Sequence, residues 1–213
     1  MKNSLTLTET EEMLRQVAQG MIASQSLLTE ADRATGDGDH GVAMGRGFEA
    51  VLAVLDLQEF TDLKDLFFNT GTALITSAGG ASGIIFGTWF SVGGLGLVGK
   101  QEFDSQALIL FLQDGLKAIQ KRGKAQAGDK TMVDALLPAV KALEGHSGDS
   151  LPEALRLAAQ AAKAGAESTK EMDARIGKAR SLGARALGYI DPGALSTSLI
   201  LEFMLWYVES LPE

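Results

Sequence analysis

The sequence predicts an all-α fold of about eight helices, in a single domain over residues 1–213. Apolar residues recur at three- and four-residue intervals along most of the chain, and capping residues stand ahead of those stripes. No run alternates apolar with polar residues between turns, and β-branched residues are sparse. Helix one opens at a capping box, Thr8 with Glu11, carries Met13, Leu14, Val17, Ala18, Met21 and Ile22, and runs to about Glu30. After the loop TGDGDHG, helix two carries Met44, Phe48, Val51 and Leu55. Helix three opens near Thr61 with Leu63, Leu66, Phe67, Leu74 and Ile75. Helix four starts at GGASG and holds Ile84, Ile85, Phe86, Trp89 and Phe90. Helix five starts near Asp104 and holds Leu108, Leu112, Leu116 and Ile119. Beyond a glycine- and lysine-containing loop at 123–130, helix six runs from about Thr131 to Leu143. Ser150, Pro152 and Glu153 open an Ala-rich helix seven, and Asp191 with Pro192 opens the last. Trp89, Trp206 and Tyr207 lie at helical spacing on apolar faces and are expected in the core.

Composition narrows the function classes. The chain is 46% hydrophobic and 22% charged, as a globular domain should be. Its 19 Lys and Arg against 27 Asp and Glu give a net charge of −8, which disfavours a nonspecific grip on nucleic acid or anionic lipid, so any anion needs a local site. The absence of cysteine removes disulfides, thiolate metal sites and cysteine nucleophiles, and the cytoplasm is the expected compartment. The amino terminus has no apolar stretch of the secretory kind. From Leu66 to Gly99 no residue is charged, a length that would span a bilayer. That window holds nine glycines and eight Ser, Thr or Asn residues without flanking basic clusters, and it reads as two buried helices around a Gly-rich turn.

Three familiar motifs are spelled without their context. Gly36, Gly38 and Gly41, and again Gly94, Gly96 and Gly99, fit G-x-G-x-x-G, but no strand precedes either. GKAQAGDKT from Gly123 to Thr131 approaches a P-loop, but Asp129 separates the second Gly from Lys130 and a helix precedes it. Asp37 and Asp39 suggest an EF-hand, yet its twelfth position is Phe48 where a bidentate Glu is needed.

What remains is chemically specific. Asp32, Asp37 and Asp39 lie within eight positions, in a loop loosened by glycines and followed at once by a helix start. Clustered carboxylates suit a hard cation such as Mg²⁺, and the helix N–H groups would hold an anion bridged by that metal. An acidic capping loop of solvated carboxylates has the same spacing. GGASG at 79–83 lets a ligand approach backbone at a second helix start, with Ser82 as a hydroxyl donor, or else serves close helix packing. Arg122, Lys124, Lys130, Lys178, Arg180 and Arg185 supply cations near glycines, whether for phosphate or for solvent. His40 sits inside the carboxylate loop, whereas His146 has no constellation around it.

GDGDHG at 36–41 with Asp32 ahead of it, GRGF at 45–48, GGASG with GTWF at 87–90, RGKAQAGDKTMVD at 122–134 and DPGA at 191–194 resemble, in order and spacing, the L subunit of bacterial dihydroxyacetone kinases, the Dak2-type nucleotide-binding domain. These segments span nearly the whole chain. The resemblance implies a closed barrel of eight antiparallel helices with ADP or ATP at one rim, and two Mg²⁺ between its phosphates and Asp32, Asp37 and Asp39. Nucleotide contacts carried over by position fall on His40, Gly41, Val42 and Ala43, on Ala81 and Ser82, on Gly123, on Thr131 and Met132, with Met132 against adenine, and on Asp191, Pro192 and Gly193. The chain departs from the family where Gly-Arg-Ala-Ser-Tyr-Leu-Gly is usual. It reads GKARSLG at 177–183, which leaves the phosphate contact to Lys178 or Arg180. It also reads Ile84, Ile85 and Phe86 where Pro-Leu-Tyr or Pro-Leu-Phe is usual.

The implied chemistry is phosphoryl transfer to dihydroxyacetone held on a separate K subunit. In one form of such systems ADP stays bound and is recharged by a phosphohistidine protein of the phosphotransferase system. In the other, ATP is exchanged at each turnover, and related systems act on erythrulose. A non-catalytic module that senses ADP and binds a regulator is the alternative from another class.

Overall fold

The computed structural model describes residues 2–212, with every side chain in that range but that of Lys178. It is helical almost throughout. Nine α-helices are described: α1 (Leu7–Ala23), α2 (Gln25–Thr35), α3 (His40–Leu57), α4 (Leu63–Ser77), α5 (Gly80–Gly93), α6 (Ser105–Gly123), α7 (Val133–Ala142), α8 (Leu151–Ser168) and α9 (Pro192–Ser210). Short 3-10 segments follow α5 and α8, and a longer one covers Lys178–Ala186.

Two expectations are corrected at the amino terminus. The first helix is two helices, because Ser24 leaves helical geometry and its hydroxyl donates back to the Gly20 carbonyl at 2.8 Å. Its cap is Thr6 with Glu9, not Thr8 with Glu11. The Thr6 hydroxyl accepts the Glu9 N–H and the Glu9 carboxylate accepts the Thr6 N–H, which leaves Thr8 as the second residue of the helix. Thr6 is selected because it ends a strand. Ser4–Thr6 (β1) pairs antiparallel with Glu102–Asp104 (β2), Leu5 opposite Phe103, and both of those side chains are buried. Elsewhere the caps fall where side-chain oxygens were available: Asp62, Asp104, Ser150 and Asp191 each accept the N–H three residues on.

From α3 to α9 each helix packs on the next. α9 then packs on α1 and α2, which pack on α3, so the circuit of neighbours closes. The interior is filled by an aromatic cluster centred on Phe90, with Phe67, Trp89 and Phe111 at ring separations of 6.3, 5.4 and 5.5 Å. Glycines let helices meet across it: a Cβ on Gly71 would strike the backbone of α5, and one on Gly115 the Trp89 indole. The uncharged stretch 66–99 is α4, α5 and the 3-10 turn after them. The segment Gly80–Leu97 has the length and hydropathy of a membrane span, but 56% of it is buried in this core. Trp89 is fully buried as expected, whereas Trp206 is 55% exposed, turned outward against the edge of Phe203.

The closed circuit matters for function because it alternates direction. α3, α5, α7 and α9 all begin at one end of the molecule, and α2, α4 and α6 end there, around a single cavity.

Candidate functional site: a carboxylate loop and four helix starts around one cavity

α2 ends at Thr35, and Gly36 follows against the Asp32 side chain, where a Cβ would overlap the carboxylate. Gly38 adopts φ +79°, the left-handed region that favours glycine. These two residues fold the loop back on its helix, so Asp32, Asp37 and Asp39 each bring one carboxylate oxygen within 4.8 Å of the others. Asp32 is buried and the other two are exposed. The Asp32 Oδ2 accepts the N–H of His40 at 3.0 Å, tying the end of α2 to the start of α3. Three carboxylates this close repel one another, and a hard divalent cation is the species that relieves it, so the residues present fit Mg²⁺.

The cavity beside the loop measures about 530 Å³. Its walls are the first turns of α3, α5, α7 and α9, where backbone N–H groups lack intrahelical partners. Four helix N-termini facing one space make an environment for a multiply charged anion. Gly79 and Gly80, at φ +76° and +61°, bring the chain into α5 with no side chain between backbone and cavity. Apolar side chains line it as well, Ile85, Phe86, Ile119, Met132 and Ile176, which suits the flat face of a base.

The polar walls are cross-linked. His40 is buried, with Nδ1 2.9 Å from the Ser82 Oγ of α5 and Nε2 2.8 Å from the Ser196 Oγ of α9. Lys130, in left-handed conformation at φ +60° and 1% exposed, donates its ammonium to the Thr169 and Tyr189 carbonyls at 2.5 and 2.7 Å. Burial pushes the Lys130 pKa down, and the carboxylates of Asp191 and Asp173 oppose that. Asp191 caps α9 by accepting the Ala194 N–H at 2.8 Å. Although one side of it faces the cavity, burial raises its pKa to about 7 against the pull of that bond and of Lys130, with Asp134 pushing the same way as burial. Asp134 holds the loop before α7 by accepting the N–H groups of Gly128 and Thr131 at 2.5 and 2.9 Å.

The cavity gathers most of the residues singled out in the sequence. His40, Val42 and Ala43 line it from α3, and Ala81 and Ser82 from α5. Gly123, Thr131 and Met132 line it from the α6–α7 side, and Asp191, Pro192 and Gly193 from α9. Asp32 and Asp39 complete it, with Asp37 on the exposed side of the loop. Gly41 lies behind the wall. A Cβ there would meet the Gln25 carbonyl and Thr29, so this glycine lets α3 cross α2. Arg180, Arg122, Lys124 and Arg185 are exposed and do not line the cavity, and the side chain of Lys178 lies outside the described residues. His146 is paired with Asp149 at 2.8 Å, away from the site. Three contributors went unassigned in the sequence. Arg46 lines the cavity and donates to the Ser77 and Ala78 carbonyls at the end of α4. Ser196 and Asp134 act through His40 and the 128–131 backbone. Arg46 lies within the GRGF segment and was legible there, whereas a serine in the second turn of an apolar helix carries no signal of its own.

The DAK2 domain family profile matches residues 34–205. The chain is 37% identical over 203 residues to the ADP-binding subunit of the PEP-dependent dihydroxyacetone kinase of Escherichia coli K12, covering 94% of this chain and 97% of that protein. It is 34% identical over 203 residues to the ADP-binding subunit of the PTS-dependent dihydroxyacetone kinase of Lactococcus lactis, with the same coverage of 94% and 97%. Among solved structures it resembles the dihydroxyacetone kinase of C. freundii in complex with AMP-PNP and Mg²⁺, with a TM-score of 0.73 and 28% identity over 92% of this chain, while spanning 33% of that longer one. With the profile match over most of its length and these relatives aligned nearly end to end, the chain belongs to the DAK2 domain family.

Proposed function

We propose that this chain is the nucleotide-binding subunit of a dihydroxyacetone kinase, a phosphotransferase working with a separate K subunit that carries the ketose. The reading rests on one observation above the others: three mutually close carboxylates and four helix starts converge on a cavity also lined by apolar side chains. Charged groups together with apolar side chains in one cavity are what a nucleoside polyphosphate with its metal requires. The relatives described as ADP-binding subunits of PEP- and PTS-dependent kinases support ADP as the resident nucleotide and a phosphohistidine carrier of the phosphotransferase system as its source of phosphoryl groups. The lack of cysteine suits a reducing cytoplasm, where we place the reaction.

In this reading Asp32, Asp37 and Asp39 hold two Mg²⁺ ions. The metal supplies positive charge to the phosphate oxygens as the phosphoryl group moves. The N–H groups of Gly41 and Val42, between His40 and Ala43 whose own N–H groups are held by Asp32 and the Asp39 carbonyl, and those of Ala81 and Ser82 take phosphate oxygens, with the Ser82 hydroxyl beside them. Met132 and the other apolar side chains take the base. Thr131, Gly123 and Asp191 to Gly193 close the sides of the nucleotide, and the phosphate contact from the 178–186 segment falls to Lys178, since Arg180 does not line the cavity. The work of these residues is positioning and electrostatics, while the acceptor hydroxyl is activated on the K subunit.

Reconstitution tests this. The purified chain, a K subunit and a phosphoenolpyruvate-charged phosphohistidine protein should together phosphorylate dihydroxyacetone, and leaving out the chain should stop the reaction. Robust kinase activity of the chain alone would place the acceptor site here and overturn the division of labour.

A further inference from the structure

The bond from His40 Nε2 to Ser196 does not touch the cavity, yet it constrains a group that does. Ser196 is fully buried in the second turn of α9, and its Oγ has no hydrogen-bond partner among the described residues except His40 Nε2, 2.8 Å away. A hydroxyl in that position has one proton to place and one acceptor to receive it. If Nε2 carried the ring proton it would donate to Ser196, and the Ser196 O–H would then point at no acceptor. Leaving a buried donor unmet is the costlier arrangement. With Nε2 accepting, the neutral ring carries its proton on Nδ1, which faces the Ser82 Oγ at 2.9 Å. Ser82 then accepts from His40, and its own proton is released toward the cavity it lines.

We propose that Ser196 is a positioning residue that, through His40, turns the Ser82 hydroxyl into a hydrogen-bond donor aimed into the cavity, fitted to an anionic phosphate oxygen. The relay crosses three helices, from α9 through α3 to α5, and its order is Ser196 O–H to Nε2, Nδ1–H to Ser82 Oγ, and Ser82 O–H to ligand. The opposite order would present Ser82 lone pairs to a phosphate, which repels them. The proposal rests on the cavity taking nucleotide phosphates, but the proton order can be measured without any nucleotide.

The chain has two histidines, so His146→Asn leaves a single ring to observe. Long-range proton–nitrogen correlation spectra of the nucleotide-free protein, at a pH where the ring is neutral, should show His40 as one tautomer protonated on Nδ1. A ring protonated on Nε2, or an even mixture, overturns the relay. Titration with ADP and Mg²⁺ supplies the second arm. Ser196→Ala should weaken binding by about three- to tenfold, the value of one neutral hydrogen bond, and Ser196→Cys, a weaker donor, should lose less. In a Ser82→Ala background the Ser196→Ala change should cost nothing further. Additive losses, or unchanged affinity in Ser196→Ala, overturn the proposal. A protein with the Nδ1–H tautomer that binds no ADP would keep the proton order and sink the nucleotide reading instead.

Discussion

The carboxylate of Asp32 and the backbone N–H of His40 meet at 3.0 Å across the loop that carries Asp37 and Asp39. That bond gives the three aspartates unequal work. Asp32 is buried and satisfies an N–H at the start of α3, so it belongs to the fold as well as to the proposed metal site, whereas Asp37 and Asp39 are exposed. Asp37→Asn and Asp39→Asn should therefore leave the nucleotide-free protein as stable as before or slightly more so, since each removes a like charge from the cluster. Each should also abolish the stabilisation by ADP with Mg²⁺. In the unaltered protein, nucleotide at about 100 times Kd adds roughly 2.7 kcal/mol, and at about 2 to 4 °C per kcal/mol the melting point rises by several degrees. Asp32→Ala should lower the melting point with no ligand present, by the cost of an unmet buried N–H, about 1 to 3 kcal/mol. Thermal melts with and without Mg²⁺ and ADP check all three, and an unshifted curve for the unaltered protein would remove the site.

Gly41 and Gly123 make different predictions. The missing Cβ of Gly41 leaves room for the Gln25 carbonyl and Thr29 of α2, and backbone on the far side cannot yield as a flexible side chain would. Gly41→Ala should destabilise the fold by about 1 to 3 kcal/mol or more, whether or not nucleotide is present. At Gly123 a Cβ would come no closer than 3.5 Å to Ile85 Cδ1, so Gly123→Ala should spare the fold, and any loss should appear in nucleotide affinity. Urea denaturation of the two variants separates the effects, and equal stability would contradict the packing role of Gly41.

The pKa of Asp191 ties stability to pH. The carboxyl keeps its proton up to about pH 7 in the fold but only up to its ordinary 3.8 when exposed. Over that interval the folded chain holds a proton that the unfolded chain has lost, so this contribution to stability falls as pH rises and levels off above about 7. The slope is at most roughly 1.4 kcal/mol per pH unit. The groups acting on it are Lys130, Asp134 and the N–H groups of Gly193 and Ala194. Asp191→Asn keeps an acceptor for the α9 cap and removes the titration, so its stability should lack this slope. Denaturation midpoints measured across the range decide it, and parallel profiles for the two proteins would sink the assignment.

How much of this was legible in the sequence depended on whether the determining contact was local. Asp62, Asp104, Ser150 and Asp191 cap their helices through residues three positions away; the last three were readable as start signals, and the helix expected near Thr61 is capped one residue on. At the amino terminus two overlapping T-x-x-E patterns competed, and the choice of Thr6 was made by β2, nearly a hundred residues on, which no local pattern encodes. The break at Ser24 was hidden because the apolar stripe of α1 continues into Leu28 of α2 without a gap. The aspartates, GGASG and DPG could be found because short-range glycine and carboxylate chemistry marks them. Ser196 and the buried ammonium of Lys130 draw their meaning from partners 156, 39 and 59 positions away. Trp206 was misjudged for the reverse reason: α9 is apolar around most of its circumference, so periodicity does not say which side the circuit of helices leaves open.

The donor is decided by how long the nucleotide stays. If ADP is recharged in place by a phosphohistidine protein, it must survive many turnovers, and a slow off-rate favours the subunit. If ATP is consumed, ADP must leave once per cycle. Ties between elements brace the cavity walls: Lys130 joins the loop before α7 to the Thr169 and Tyr189 carbonyls, and Arg46 joins α3 to the end of α4. The 178–186 segment is the exception. It joins a small apolar cluster of its own, Ala174, Ala179 and Ala186, apart from the main core, and it holds the Lys178 and Arg180 departure from the family pattern. We expect the protein to be purified with ADP bound, released into the supernatant on heat denaturation, and to turn over faster with a phosphoenolpyruvate-charged carrier than with ATP. Lys178→Arg, which restores the planar fork usual at this position, should slow ADP release without changing the melting point of the nucleotide-free protein. Nucleotide-free protein with fast ATP turnover would assign the exchanging mechanism instead.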